Sequence, residues 1–352
     1  KKSILIIEKK KKIGCVKNWC FWNTPQNIFT NKYDTAWDSI KIKIDNNEII
    51  HNESKIKYLH LKSSSFFKYI IKRLAKNKRI KILNGKEINK INKYTEKNEV
   101  IINKYKYECK FLFDSRPSPT KKKGELFQHF VGYEVVFDEN ILNSKQVTLM
   151  DFQSFSNGIN FMYILPFTSK RALFESTYFS KKTYSKLRYK KNVIKYLDRN
   201  FPNTKFKIYF KEQGILPMFS QNVKQKFNYF PIGIPGNWLK SSTGYSFQNC
   251  FFYSSLITES LINDKKIRIK NKLVLSFLDE VFCNLIKKSS KDLKIFFLYF
   301  FKKNNLKLIV SFLNGNINFL QLLRVLMILP KKKIFISAFE VIKKRVLSNE
   351  IN

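Results

Sequence analysis

Short apolar runs separated by polar turns open this chain, and amphipathic helical periodicity closes it. Ser3-Ile4-Leu5-Ile6-Ile7-Glu8 reads as a buried parallel strand ending on an acid. Residues 56–61 read as another strand, after which Ser63, Ser64 and Ser65 offer N-caps to a helix with Phe66, Phe67, Ile70, Ile71 and Leu74 on one face. Residues 100–102 and 105–113 read as a hairpin whose second arm stops at Asp114-Ser115-Arg116-Pro117. Period-two alternation then predicts four strands, at 127–137, 147–152, 159–166 and 172–179, and with them an antiparallel sheet. A helix over 184–196 and a strand over 205–210 follow. Gly233 and Gly236 mark a loop before a helical stretch to Ile262, and residues 271–346 are mostly amphipathic helix.

This order predicts an α/β fold of mixed α+β character in four stretches. A strand-helix region covers 1–116, an antiparallel-sheet domain 117–220, a return to the first region 221–270, and a helical region 271–352. No internal repeat is visible. With 352 residues, 44% of them hydrophobic, the chain is large enough for a core and a ligand cavity.

Charge adds a question about partners. Lys and Arg total 67 against 26 acids, a formal balance of +41, which suits nucleic acid or an anionic membrane surface. Abundant Lys, Asn, Ile and Phe are also what AT-rich coding imposes on neutral surface positions. Cys15, Cys20, Cys109, Cys250 and Cys283 form no CxxC pair, and His51, His60 and His129 stand apart from them, so no metal site is expected and a reducing cytoplasm is. No signal peptide opens the chain, and apolar runs such as Ile295 to Phe301 are far shorter than the roughly 18 residues of a spanning helix.

Candidate chemistry centres on Glu175. Alternation along Leu173-Glu175-Thr177-Phe179 puts this carboxyl on an apolar strand face, where lost hydration keeps it protonated near neutrality; an outward-facing strand would make it an ordinary surface acid. Glu212 and Asp151 are similar, weaker candidates that could equally cap turns. The loop from Gly233-Ile234-Pro235-Gly236 to Ser241-Ser242-Thr243-Gly244-Tyr245 places backbone N–H groups at a helix start, a setting for an anion or for a self-capped helix. Trp19, Phe21 and Trp22 could line a substrate site and stabilise a carbocation, or simply be core.

Taken together, Phe113-Asp114-Ser115-Arg116, Gln128 to Glu134, Leu149-Met150-Asp151-Phe152, Phe161 to Phe167, Ala172 to Thr177, Glu212 to Met218 and Ser242 to Phe247 resemble the bacterial lycopene β-cyclase family in order and spacing. Phe277 to Phe282, Phe312-Leu313 and Leu329-Pro330 extend the resemblance into the tail. It implies an aromatic-hydroxylase-like flavoprotein: a Rossmann-like FAD domain interleaved with an antiparallel substrate sheet and followed by a helical region. It implies FAD, reduced by NAD(P)H, and an isomerase that closes the linear ends of lycopene or related carotenoids into β-ionone rings, giving γ-carotene and β-carotene with no net redox change. On that resemblance Glu175 is the essential acid, with Asp151 and Glu212 supporting it. Glu8 is the ribose-binding acid, and Asp114, Gly233, Gly236, Thr243, Gly244 and Tyr245 contact the cofactor. The first strand and its Gly-x-Gly-x-x-Gly turn are expected upstream of Lys1. The implied location is cytoplasmic, peripheral to the inner face of the cytoplasmic membrane, with lycopene rather than nucleic acid as partner. The competing readings are a flavin-dependent monooxygenase and a basic nucleic-acid- or membrane-binding protein.

Overall fold

The computed structural model describes residues 2–12, 17–24, 32–117, 124–221, 223–269, 273–288, 290–329 and 331–349. Cys15, the Lys121 to Lys123 run and Pro330 lie outside them. In chain order the first elements are β1 (Ile4–Glu8), β2 (Asn18–Trp22), β3 (Thr35–Trp37), β4 (Ser39–Ile44), β5 (Asn47–Asn52), β6 (Tyr58–Lys62) and α1 (Ser63–Leu74). Then come β7 (Ile80–Asn84), β8 (Lys90–Lys93), β9 (Asn98–Ile102), β10 (Tyr105–Cys109) and β11 (Leu112–Asp114). The long strands follow: β12 (Phe127–Phe137), β13 (Gln146–Gln153), β14 (Ile159–Pro166), β15 (Arg171–Ser180) and, after α2 (Lys186–Asn200), β16 (Phe206–Pro217). The rest is β17 (Tyr229–Pro231), α3 (Phe247–Ile262), α4 (Leu273–Lys288), α5 (Ser290–Lys303), α6 (Leu306–Leu313), α7 (Phe319–Ile328) and α8 (Lys331–Asn349).

The chain divides into two units, and the boundary falls inside β2 and β6. The first comprises Lys1–Trp19, Leu61–Thr120 and Gln221–Trp238; the second comprises Cys20–His60, Lys121–Ser220 and Leu239–Asn352. Residues 20–60 and 239–270 thus belong with the large sheet rather than with the strand-helix region. The cause is visible in β4, which pairs with β13 in parallel and carries β5 with it.

In the first unit β1 pairs with β7 in parallel, as the opening apolar run predicts, and β8, β9 and β10 form an antiparallel sheet. Two details differ from the sequence reading. Leu112–Asp114 does not continue the β9–β10 hairpin but forms a separate strand parallel to β17. The serines do not cap α1: the helix begins at Ser63 with Lys62 as an uncapped N-cap, and the Ser63 hydroxyl accepts the Lys17 backbone N–H at 2.9 Å.

The second unit is built on a seven-stranded sheet in the order β16-β12-β15-β14-β13-β4-β5. Alternation along its long strands makes the sheet separate two cores. Phe174, Tyr178, Met162, Val131, Tyr133 and Val135 face α2, which supplies Tyr189, Val193, Tyr196 and Leu197. Leu173, Phe179, Leu165 and Phe161 face the other way, into a core with Trp22, Trp37, Ile40 and the C-terminal helices. Burying such faces at about 25 cal/mol per Å² of apolar surface is what fixes the register, because a one-residue slip would exchange them.

Candidate active site

Glu175 lies on the second of these faces, within the sheet's interior rather than at its rim. Directly opposite it on β12 is Gly132, and directly opposite Gly132 on the far side is Glu212 of β16. Cross-strand partners share a face, so two carboxyl side chains flank one glycine. The spacing favours glycine: a Cβ at 132 would stand 3.1 Å from Leu173 Cδ1 and 3.3 Å from Glu212 Cγ, so both side chains would have to give by a few tenths of an ångström. Glu175 and Glu212 retain only 8% and 7% of their exposure, so water does not offset their charge.

Burial therefore pushes the Glu175 carboxyl up to about 8, and the Glu212 charge pushes in the same direction. The Thr177 hydroxyl, donating to Glu175 Oε1 at 2.8 Å, opposes the shift but does not cancel it. At neutral pH Glu175 holds its proton beside a second carboxyl, an arrangement able to give a proton and to take one back.

A wall of weakly acidic groups stands beside the pair. Tyr163 is the β14 neighbour of Glu175, and its hydroxyl lies 3.1 Å from that of Tyr58. The Cys20 thiol interacts with Tyr163 and with both acids, and Tyr58 continues to Tyr245. Burial is the main cause that pushes the Cys20 thiol and the Tyr58 and Tyr163 phenols up, and it brings Tyr245 to about 12. Cys20, Tyr163 and Tyr245 are half-buried and pack against the core on the Glu175 side of the sheet.

The aromatic cluster of β2 is divided by its own alternation. Trp22 is fully buried against Tyr58, ring centroids 4.7 Å apart, and points the same way as Cys20. Phe21 stacks instead on Phe247 at 4.3 Å, and Trp19 belongs to the first unit, edge-on to Phe66 and Phe67 of α1. Only Trp22 of the three is brought to the acids' neighbourhood. Asp151 is not brought there either. It pairs with Met162 on the α2 face of the sheet, opposite to Glu175, where it accepts the Tyr196 hydroxyl at 2.7 Å.

The turn before α3 lies on the Glu175 face. Gln128 stands four residues from Gly132 on β12, about 13 Å along the strand, and meets Gly244 there. Gly244 has φ +73°, and a Cβ on it would lie 2.5 Å from Gln128 Oε1, a buried oxygen with no hydrogen-bond partner among the described residues. Ser246 caps α3 without a side-chain bond. The turn is held from behind: Lys240 pairs with Asp279 at 2.6 Å, and the Ser242 hydroxyl donates to the same carboxylate at 2.7 Å.

Glu8, Asp114, Gly233 and Gly236 lie in the first unit. The Glu8 carboxylate accepts the Lys10 backbone N–H at 2.9 Å at the end of β1. Asp114 is engaged by the Arg116 guanidinium at 3.0 and 2.9 Å and by the Tyr229 hydroxyl at 3.2 Å.

Cys20, Tyr58, Tyr163, Thr177 and Gly132 were missed by sequence reasoning. Alternation in Asn18–Trp22 and in β14 could have found Cys20 and Tyr163, since Cys20 shares a face with Trp22, and Tyr163 shares one with Phe161 and Leu165.

A family model described as "Lycopene cyclase protein" matches residues 1–338. No curated protein matches the sequence. Among solved structures, a geranylgeranyl bacteriochlorophyll reductase-like protein from Thermoplasma acidophilum is 10% identical with a TM-score of 0.64, over 94% of this chain and 91% of that one. A flavoprotein/dehydrogenase from Cytophaga hutchinsonii is 11% identical with a TM-score of 0.58, over 89% and 87%. A probable FAD-dependent monooxygenase from Pseudomonas aeruginosa is 9% identical with a TM-score of 0.54, over 81% and 90%. These likenesses carry the fold, that of the aromatic-hydroxylase-like flavoproteins, and nothing finer.

Proposed function

Because the chain belongs to the lycopene cyclase family, we propose that it closes the linear ends of lycopene into β-ionone rings, with Glu175 as the proton-handling residue. The observation that carries the reading is the Glu175–Gly132–Glu212 row, a carboxyl that stays protonated at neutrality with a second carboxyl across a glycine. A polyene has no heteroatom to polarise, so ring closure must begin with protonation of a terminal double bond. The next double bond attacks the resulting cation, and loss of a ring proton ends the reaction with no net change in atoms or electrons. One acid and one base suffice, and the pair supplies both. The faces of Trp22, Tyr58 and Tyr163 would stabilise the cation by about 0.5–2 kcal/mol per contact. The Tyr58 and Tyr163 hydroxyls stay neutral, so neither competes with Glu175 for its proton role.

The residues of this chain fit a flavin. The unpartnered Gln128 oxygen beside the side-chain-free Gly244 turn suits the N–H edge of a flat heterocycle, and the uncapped start of α3 suits its anionic edge. Thr243, Gly244, Tyr245 and Gln128 would hold the ring. FAD, once reduced by hydride from NAD(P)H, would add negative charge that stabilises a cation.

Expression of the gene in lycopene-accumulating cells should turn their pigment from red to orange; unchanged pigment with soluble, flavin-loaded protein would overturn the reading. Glu212→Gln removes the neighbouring charge that raises Glu175. The alkaline limb of the pH–rate profile should therefore move to lower pH in this variant, and an unmoved limb would separate the two acids functionally.

A further inference from the structure

The C-terminal helices α7 and α8 carry apolar faces that nothing among the described residues covers. Asn318 and Gln321 form a capping box that starts α7, with bonds of 2.9 and 3.2 Å. One side of α7 is buried at Val325, while Phe319, Leu320, Leu323 and Met327 recur on the other side, Phe319 and Leu320 at 71% and 76% exposure. In α8, Ser337 and Val341 are buried, and Glu340 accepts from Asn284 of α4. The opposite face presents Phe335, Ile336, Phe339, Ile342 and Val346, with Phe335 and Phe339 each 70% exposed. Helical spacing of i, i+4, i+7 and i+11 makes this a stripe rather than scattered positions. Water-exposed apolar stripes of this extent mark an interaction surface.

The charge beside the stripes selects the partner. Residues 319–349 hold seven Lys and Arg against one acid, and Lys331, Lys332 and Lys343 are exposed. A second copy of the chain would bring those lysines against their like, whereas an anionic bilayer accepts both the aromatics and the cations. No described helix is long and apolar enough to cross a membrane. We propose that the outer faces of α7 and α8 form a docking surface for an anionic lipid bilayer, with Phe319, Leu320, Phe335 and Phe339 entering the headgroup boundary. The preference for a bilayer rests partly on the proposed function, since a hydrocarbon substrate resides there.

The test needs neither carotenoid nor cofactor, so its outcome is separate from that of the cyclase reading. The full chain is floated with phosphatidylcholine vesicles containing or lacking phosphatidylglycerol. The wild type should bind the anionic vesicles. Phe335→Ser combined with Phe339→Ser should weaken binding roughly tenfold or more. Lys331→Glu combined with Lys332→Glu should weaken it by at least about fivefold per lysine. If the α8 aromatic variant fails to fold by circular dichroism, Phe319→Ser with Leu320→Ser on α7 serves the same purpose. Absent flotation, binding indifferent to the aromatic variants, or binding indifferent to phosphatidylglycerol would each overturn the proposal. So would a concentration-dependent dimer that the aromatic variants convert to monomer, because the stripes would then cover each other.

Discussion

Glu175→Gln should abolish ring closure, by about a thousandfold or more, while leaving fold and flavin content intact. Glutamine preserves the shape, and its amide can still meet the Thr177 hydroxyl, but it has no transferable proton. The measurement is carotenoid composition of lycopene-accumulating cells by chromatography, with flavin absorbance of the purified protein as control; a variant that still cyclises at the wild-type rate would remove Glu175 from the chemistry. The same substitution carries a stability signature. The folded-state pKa of Glu175 is raised from 4.5 to about 8, so between those values the native state binds a proton that the unfolded state has released. Through this group stability is highest below the unfolded pKa and declines as pH rises toward 8. Wild-type Tm should fall across that window, and the Gln variant should lose this part of the slope.

Gly132→Val should be nearly as damaging to activity, although position 132 contributes no functional group. The new side chain has to enter the space between Glu175 and Glu212, where even a Cβ is 3.1 Å from Leu173 and 3.3 Å from Glu212. Overpacking of this kind costs about 1–3 kcal/mol, and displacing either carboxyl by an ångström can cost about a hundredfold in rate. A lowered Tm with a kcat loss exceeding a hundredfold is expected. Gly132→Ala should be intermediate, and full activity in both variants would show that the acids need not face each other.

The sheet was legible because β12, β14 and β15 alternate along their length; that alternation placed Glu175 on one face with Leu173 and Phe179, while the burial of that face came from the fold. The extent of β16 was not. Its register against β12 shifts between Gly132 and Tyr133, so that Tyr133 opposes Phe210 while Gly132 opposes Glu212, leaving Lys211 as an extra residue. Even-numbered residues serve the α2 core up to Phe210 and the acid face from Glu212, and a strict period-two reading therefore ends the strand at the slip. Asp151 carried the same signals as Glu175, an acid among apolar neighbours. Another irregularity, between Thr148 and Asp151, helps set its face, and only the fold assigns it to Tyr196. Tyr58 and Cys20 come from strands far away in sequence, and their convergence is a long-range pairing that no local pattern encodes. The resemblance supplied what periodicity lacked, by marking Glu175, Glu212 and the 242–247 turn as parts of one arrangement.

Asp279 has a mechanical consequence. Its carboxylate holds both Lys240 and Ser242, while the next residue, Glu280, grips Arg345 with two bonds of 3.0 Å. One turn of α4 is thus riveted to the 240–245 turn on one side and to α8 on the other. A displacement of the C-terminal helix would therefore meet an unbroken chain of ion pairs leading to the backbone around Gly244, and Glu280→Gln should lower the resistance of that turn to hydrogen exchange if the chain carries load.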